Sequence, residues 1–133
     1  MEKLVNVLII DDDPGVLFLH ELIITETKLN SNPGTFINAE EALNQILPLD
    51  THNTRMLIFL DINMPKISGW DFLEILIKSI QYAEIKVIMV TSSLSKSDRE
   101  KSKEYKIVMD YWEKPMDESQ IFNLIDELGS WLK

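Results

Sequence analysis

The chain of 133 residues has no cysteine, which removes disulfide scaffolds, thiolate metal sites and thiol nucleophiles together. That absence suits a reducing compartment, and the cytoplasm is the expected location. Positive charge is also scarce: 13 lysines and arginines face 22 acids, a formal charge of −9, so phosphate backbones and anionic lipid would repel the chain. Neither nucleic acid nor a membrane is therefore expected as a partner. No apolar run is long enough to cross a bilayer, and Met1-Glu2-Lys3 leads within a few residues into three aspartates, which is not a signal-peptide pattern. Repeats, low-complexity tracts and Pro/Gly/Ser linkers are missing too. The length then predicts one domain over 1–133 with no output domain attached.

What the chain does have is 45% hydrophobic residues, enough for a core, arranged as short apolar runs alternating with amphipathic stretches. Residues 4–10 are apolar and β-branched with little alternation, as in a strand covered on both faces, and Asp11-Asp12-Asp13-Pro14 stops them. A helix is expected over 14–28, with Val16, Leu19, Ile23 and neighbours on its buried stripe. A short strand over 35–38 and a helix over 39–47 follow. Residues 56–60 repeat the first signature and end on Asp61; a helix over 69–80 comes next. A strand over 86–90 leads to Thr91-Ser92-Ser93, and the segment 95–105 is so polar that, as a helix, it has little to bury. A strand over 107–112 is stopped by Lys114-Pro115, and a last helix spans 117–132. Strand and helix thus alternate five times. Two-sided apolar strands need helices on both faces, so the expected fold is α/β, a doubly wound five-stranded parallel sheet in the order 2-1-3-4-5 with five helices.

In such a sheet functional residues lie beyond the carboxyl ends of the strands, where the winding reverses between the first and third. Those ends carry Asp11, Asp12 and Asp61, with Thr91 after the fourth strand and Lys114 after the fifth. Three carboxylates in one cleft repel one another and call for a cation or raised pKa values. With only oxygen donors on offer, a hard divalent ion fits, and Mg²⁺ is the natural occupant. A carboxylate beside Mg²⁺ can attack phosphorus, while a lysine and a threonine hydroxyl neutralise and bind the transferred oxygens. Asp61, alone at the end of a central strand, is the better acceptor; the Asp11–Asp12 pair suits a metal.

Four stretches, Leu8-Ile9-Ile10-Asp11-Asp12-Asp13, Phe59-Leu60-Asp61-Ile62-Asn63-Met64-Pro65 with Gly69, Val90-Thr91-Ser92-Ser93 and Glu113-Lys114-Pro115, occur in the order and at the intervals of one family. In them the chain resembles a response-regulator receiver domain of the single-domain, CheY-like kind, and the resemblance covers nearly its whole length. It implies a flavodoxin-like three-layer sandwich and a phosphoacceptor rather than an enzyme. Asp61 would accept the phosphoryl group from a phosphohistidine on a sensor histidine kinase or histidine phosphotransfer protein. Asp12, the Asp61 carboxylate and the backbone carbonyl of Asn63 would hold Mg²⁺, with Asp11 acting indirectly. Thr91 would swing toward the acyl phosphate, Lys114 would pair with it and Tyr111 would be an aromatic switch that turns inward. A cis Lys114-Pro115 bond is implied too, as is slow self-dephosphorylation tuned at Asn63 and Ser93. The output would be contact with a downstream protein.

The chain departs from the family in two places. Residues 50–55 lack the usual proline-aspartate and look lengthened, and the polar fourth helix is expected to be short or mobile before phosphorylation. His20 and His52 are read as a helix-face and a loop residue without a role in phosphotransfer, Trp70, Trp112 and Trp131 as packing residues, and 96–106 as a solvated face. The rival readings are a phosphorylation-independent interaction module and a small aspartate-nucleophile phosphatase. The second would use Asp11 and Asp13, but Gly15 stands where its motif wants threonine or valine.

Overall fold

The computed structural model describes residues 4–133. Its five strands, β1 (Leu4–Ile10), β2 (Gly34–Phe36), β3 (Thr54–Leu60), β4 (Glu84–Thr91) and β5 (Val108–Glu113), form one sheet in the order β2-β1-β3-β4-β5. All four pairings are parallel. The helices are α1 (Pro14–Glu26), α2 (Ala39–Ile46), α3 (Gly69–Ser79), α4 (Lys96–Ser102) and α5 (Glu118–Leu128), with 3₁₀ turns after α2 and α5. The expected class, strand order and helix count are all present.

Period-two alternation divides the core in two. Leu8 and Ile10 of β1, Met56, Ile58 and Leu60 of β3 and Val87 and Met89 of β4 pack against α2 and α3. Val7, Ile9, Leu57, Phe59, Ile88 and Val90 point the other way, onto α1 and α5. Burial on both faces is why these strands read as continuous apolar runs.

Most boundaries move by one to three residues, each for a local reason. Thr27 caps the end of α1 and Lys28 takes a positive φ of 66°, so the helix stops before residue 28. Asn38, expected at the end of β2, caps α2 by accepting from the Glu41 amide. The last helix gives way at Gly129, φ 51°, to a 3₁₀ turn. The stripe expected on α1 is corrected as well: Leu17, His20 and Ile24 are its buried residues, Ile23 is half-buried, and Leu19 is exposed. With apolar residues at 16–19 and 22–24, periodicity alone could not fix which face turns inward.

The unusual stretch before β3 has a clear task. The Asp50 carboxylate accepts from the amides of Gln81, Tyr82 and Ala83 at 2.8–2.9 Å, tying the start of this loop to the turn before β4. Those hydrogen bonds hold its pKa below the usual carboxylate value. The fourth helix is short, seven residues, with Ser102 its buried residue.

Candidate functional site

Parallel pairing aligns the ends of β1 and β3. Ile10 lies opposite Leu60, and the Asp61 amide donates to the Ile10 carbonyl at 3.0 Å, so Asp11 and Asp61 come side by side. Both are buried, at 2% and 3% exposure, whereas Asp12 is exposed. One carboxylate oxygen of each of Asp11, Asp12 and Asp61 lies within 4.8 Å of the others, a spacing that a single divalent cation could bridge.

Lys114 enters this group from the end of β5. Its backbone N–H donates to the Thr91 carbonyl at 2.9 Å, and its Nζ reaches Asp11 Oδ2 at 2.6 Å and Asp61 Oδ2 at 3.2 Å. Burial pulls the ammonium pKa down, but the hydrogen bond to Asp11 and the charges of Asp61 and Asp11 outweigh it and leave the pKa raised. Asp61 goes the opposite way from an ordinary aspartate. Burial and then the Asp11 charge push it up to about 6, against the pull of Lys114. One lysine therefore does not neutralise the cluster, and a further cation in the cleft would lower the Asp61 pKa.

Thr91 is fully buried at the end of β4, its Oγ1 accepting from the Ser93 amide at 3.1 Å. Ser93 Oγ donates to Asp98 at 2.8 Å, joining the loop to α4. Tyr111 lies inward, 7% exposed, its hydroxyl donating to the Ser93 carbonyl at 3.0 Å, and the Arg99 guanidinium covers its ring at 4.8 Å. A bulge puts it there. Val87 pairs with Val108 but Ile88 with Asp110, so Met109 is the extra residue, and Tyr111 falls on the same face as Met89 and Thr91. Asn63 is exposed two residues past Asp61.

Gly69 controls the approach to this loop. Its N–H donates to the Ile62 carbonyl at 2.8 Å, and a Cβ there would collide with the Asp61 carbonyl oxygen, so α3 can begin this close to Asp61 only at a glycine.

The structure thus brings Asp11, Asp12, Asp61 and Lys114 together on one rim, with Thr91 and Tyr111 on a neighbouring face. It also shows a residue the sequence reading set aside. His20 is 1% exposed and its Nε2 accepts from the Met116 amide at 3.1 Å, just past Lys114-Pro115. Its spacing from Leu17 and Ile24 was the available signal: a polar residue on an apolar stripe. The Lys114-Pro115 bond is cis. His52 packs on Tyr82, Trp112 on Phe59 and Trp70 on Tyr105, with centroids 4.5, 5.8 and 5.8 Å apart. The 96–106 face is not merely solvated, since Arg99 lies on Tyr111 and Lys101 on Trp70.

The chain is similar to known proteins in sequence and in fold. Residues 7–126 match the family described as response regulator receiver domain. A two-component response regulator of Arabidopsis thaliana, ARR22, is 36% identical, the match covering 96% of this chain and 85% of that protein. A two-component response regulator from Cytophaga hutchinsonii superposes with a TM-score of 0.77 at 28% identity, covering 96% of this chain and 98% of its own. A CheY-like receiver domain protein from Methanospirillum hungatei has a TM-score of 0.67 at 21% identity over 96% of both chains, a likeness of fold alone. Among the described residues no helix is long and apolar enough to cross a membrane.

Proposed function

Because the chain belongs to the response regulator receiver domain family of two-component systems, we propose that it is a phosphoacceptor: Asp61 takes a phosphoryl group from a phosphohistidine on a sensor histidine kinase or histidine phosphotransfer protein. One observation carries this reading above the others. The Asp61 carboxylate lies 3.2 Å from the Lys114 ammonium, beside Asp11 and Asp12, at the one rim where the strands end together. Asp61 Oδ forms the new O–P bond as the P–N bond breaks; the departing imidazole keeps the electron pair and takes a proton from solvent. The product is a mixed anhydride on Asp61.

The acid cluster fits Mg²⁺ by its donors, all oxygen, and by its spacing. Asp12, Asp61 and the Asn63 carbonyl would hold the ion and Asp11 would support it indirectly. Once bound, Mg²⁺ would offset charge on the transferred oxygens. Lys114 supplies a fixed positive charge on the other side. Thr91, a short side chain at the sheet end, would donate its hydroxyl hydrogen to the phosphoryl oxygen, a capacity separate from the Ser93 amide bond that its Oγ1 accepts. The Thr91 and Tyr111 bonds to Ser93 and the Arg99 contact on the Tyr111 ring form the route by which phosphorylation would reach α4 and β5. Asn63 and Ser93 would set the lifetime of the anhydride, with slow self-dephosphorylation. The domain acts in the cytoplasm, signalling by contact with a downstream protein.

Acetyl phosphate or beryllofluoride with Mg²⁺ tests this reading. Intact-mass analysis is expected to show one phosphoryl addition on the wild type and none on Asp61→Asn, with a change in tryptophan fluorescence. An unmodified wild type, or equal labelling of Asp61→Asn, overturns the assignment.

A further inference from the structure

His20 is the buried ionisable side chain that the transfer chemistry leaves unused. It sits on α1 between Leu17 and Ile24, where a leucine would complete an apolar face. A buried imidazole is costly unless its nitrogens are hydrogen-bonded. Here its Nε2 accepts from the backbone N–H of Met116, 96 positions away. Accepting at Nε2 requires the neutral ring with its proton on Nδ1.

From this contact we infer that His20 is a positioning residue for Lys114. The segment 114–116 is tied at one end by the Lys114 amide to the Thr91 carbonyl on β4, at 2.9 Å. Pro115 has no N–H to give, so the Met116 amide is the next backbone donor, and it goes to His20 on the opposite side of the sheet from Thr91's neighbours. The segment is thereby strung between β4 and α1. The same helix also fixes the carboxylate that the lysine meets. Asp13, which caps α1 by accepting from the Gly15 and Val16 amides, donates its own N–H to Asp11 Oδ1 at 2.9 Å. Thus α1 holds Asp11 at its first turn and the Met116 amide, two residues past Lys114, at its second, and so sets the separation across which Lys114 Nζ reaches Asp11 and Asp61. A lysine has four side-chain torsions to fix, and anchoring its backbone narrows the volume that its ammonium explores.

This inference rests on the phosphoacceptor reading, and the experiment separates the two. Phosphorylation rates with acetyl phosphate and Mg²⁺ are compared for wild type, His20→Leu, which keeps the bulk and removes the acceptor, and His20→Gln, whose amide oxygen can replace Nε2. The same His20→Leu change is made in a Lys114→Met background, and thermal melts accompany every variant. His20→Leu is expected to slow labelling by about tenfold or more, in line with the cost of a small misplacement of a reacting group. His20→Gln should recover most of the rate, and His20→Leu should have no further effect once Lys114 is gone. Should the leucine variant not fold, His20→Asn, whose shorter amide cannot reach Met116, takes its place. An unlabelled wild type overturns the phosphoacceptor reading and this inference with it. A labelled wild type overturns the inference alone if the leucine variant keeps the wild-type rate, if glutamine fails to rescue, or if the loss is equal with and without Lys114.

Discussion

At the residue scale two buried groups titrate in opposite directions. Asp61 has its pKa raised to about 6, first by burial and then by Asp11, so the folded protein binds its proton more tightly than the unfolded chain does. Between pH 4 and 6 this makes stability fall as pH rises. His20 is pushed down to about 4, by burial first and then by the Lys114 charge, so the unfolded chain holds that proton better and stability rises with pH from 4 to 6.5. The two nearly cancel in the wild type. Urea melts across this range with a chelator present should therefore separate them. Relative to wild type, Asp61→Asn is expected to gain about 2 kcal/mol as pH rises, and His20→Gln to lose a similar amount. Parallel curves for all three proteins would refute this. Gly69 makes a steric demand instead: Gly69→Ala would drive a methyl group into the Asp61 carbonyl. About 1–3 kcal/mol of lost stability and slower labelling of Asp61 are expected, read by thermal melt and intact mass. An unchanged melting temperature would mean that the loop gives way easily.

At the scale of elements, what the sequence revealed and what it hid have separate physical causes. The central strands were readable because two-sided burial leaves continuous apolar runs, and Asp11, Asp12, Asp61, Thr91 and Lys114 were readable because each stands at or within two residues of the carboxyl end of a strand. The inward face of α1 was not, because Phe18, Leu19 and Leu22 are apolar yet exposed, and the buried member His20 is polar. The bulge at Met109 was hidden too, since no glycine or proline marks it, yet without it Asp110 rather than Tyr111 would share a face with Thr91. The fourth helix shows a third case: its polarity correctly indicated a short element with little to bury. Its attachments are polar and aromatic, from Ser95 capping the Asp98 amide to Asp98 on Ser93 and Arg99 on Tyr111. Next to it, Tyr105 stacks on Trp70 and donates to Glu74 of α3 at 3.0 Å. By contrast α5 buries Ile121, Leu124 and Leu128. Native-state hydrogen exchange should accordingly find the α4 amides opening well before those of α5, and beryllofluoride should slow α4 more than α5. Equal protection of the two helices in the free protein would contradict this picture.

At the scale of the whole molecule, the charge of −9 has two parts with different consequences. Most of the excess is spread over solvated helix faces, where it is screened by salt and specifies nothing. Asp11, Asp12 and Asp61 are different, because Asp11 and Asp61 are buried and only Lys114 among the described residues forms an ion pair with them. Mg²⁺ binding there would join β1 to β3 and relieve a repulsion that the metal-free fold must carry, so it should stabilise the folded state by RT ln(1 + [Mg²⁺]/Kd). At ten times Kd that is about 1.4 kcal/mol, or roughly 5 °C in Tm for a domain of this size. A general screening effect would instead appear with any salt and in every variant. The decisive comparison is therefore Mg²⁺ against NaCl at equal ionic strength, in wild type, Asp12→Asn and Asp61→Asn. A rise in Tm specific to Mg²⁺ and lost in both variants would assign the stabilisation to the acid cluster at the ends of β1 and β3. An equal rise with NaCl, or one that survives both substitutions, would assign it to the surface charge and leave the cluster without a metal.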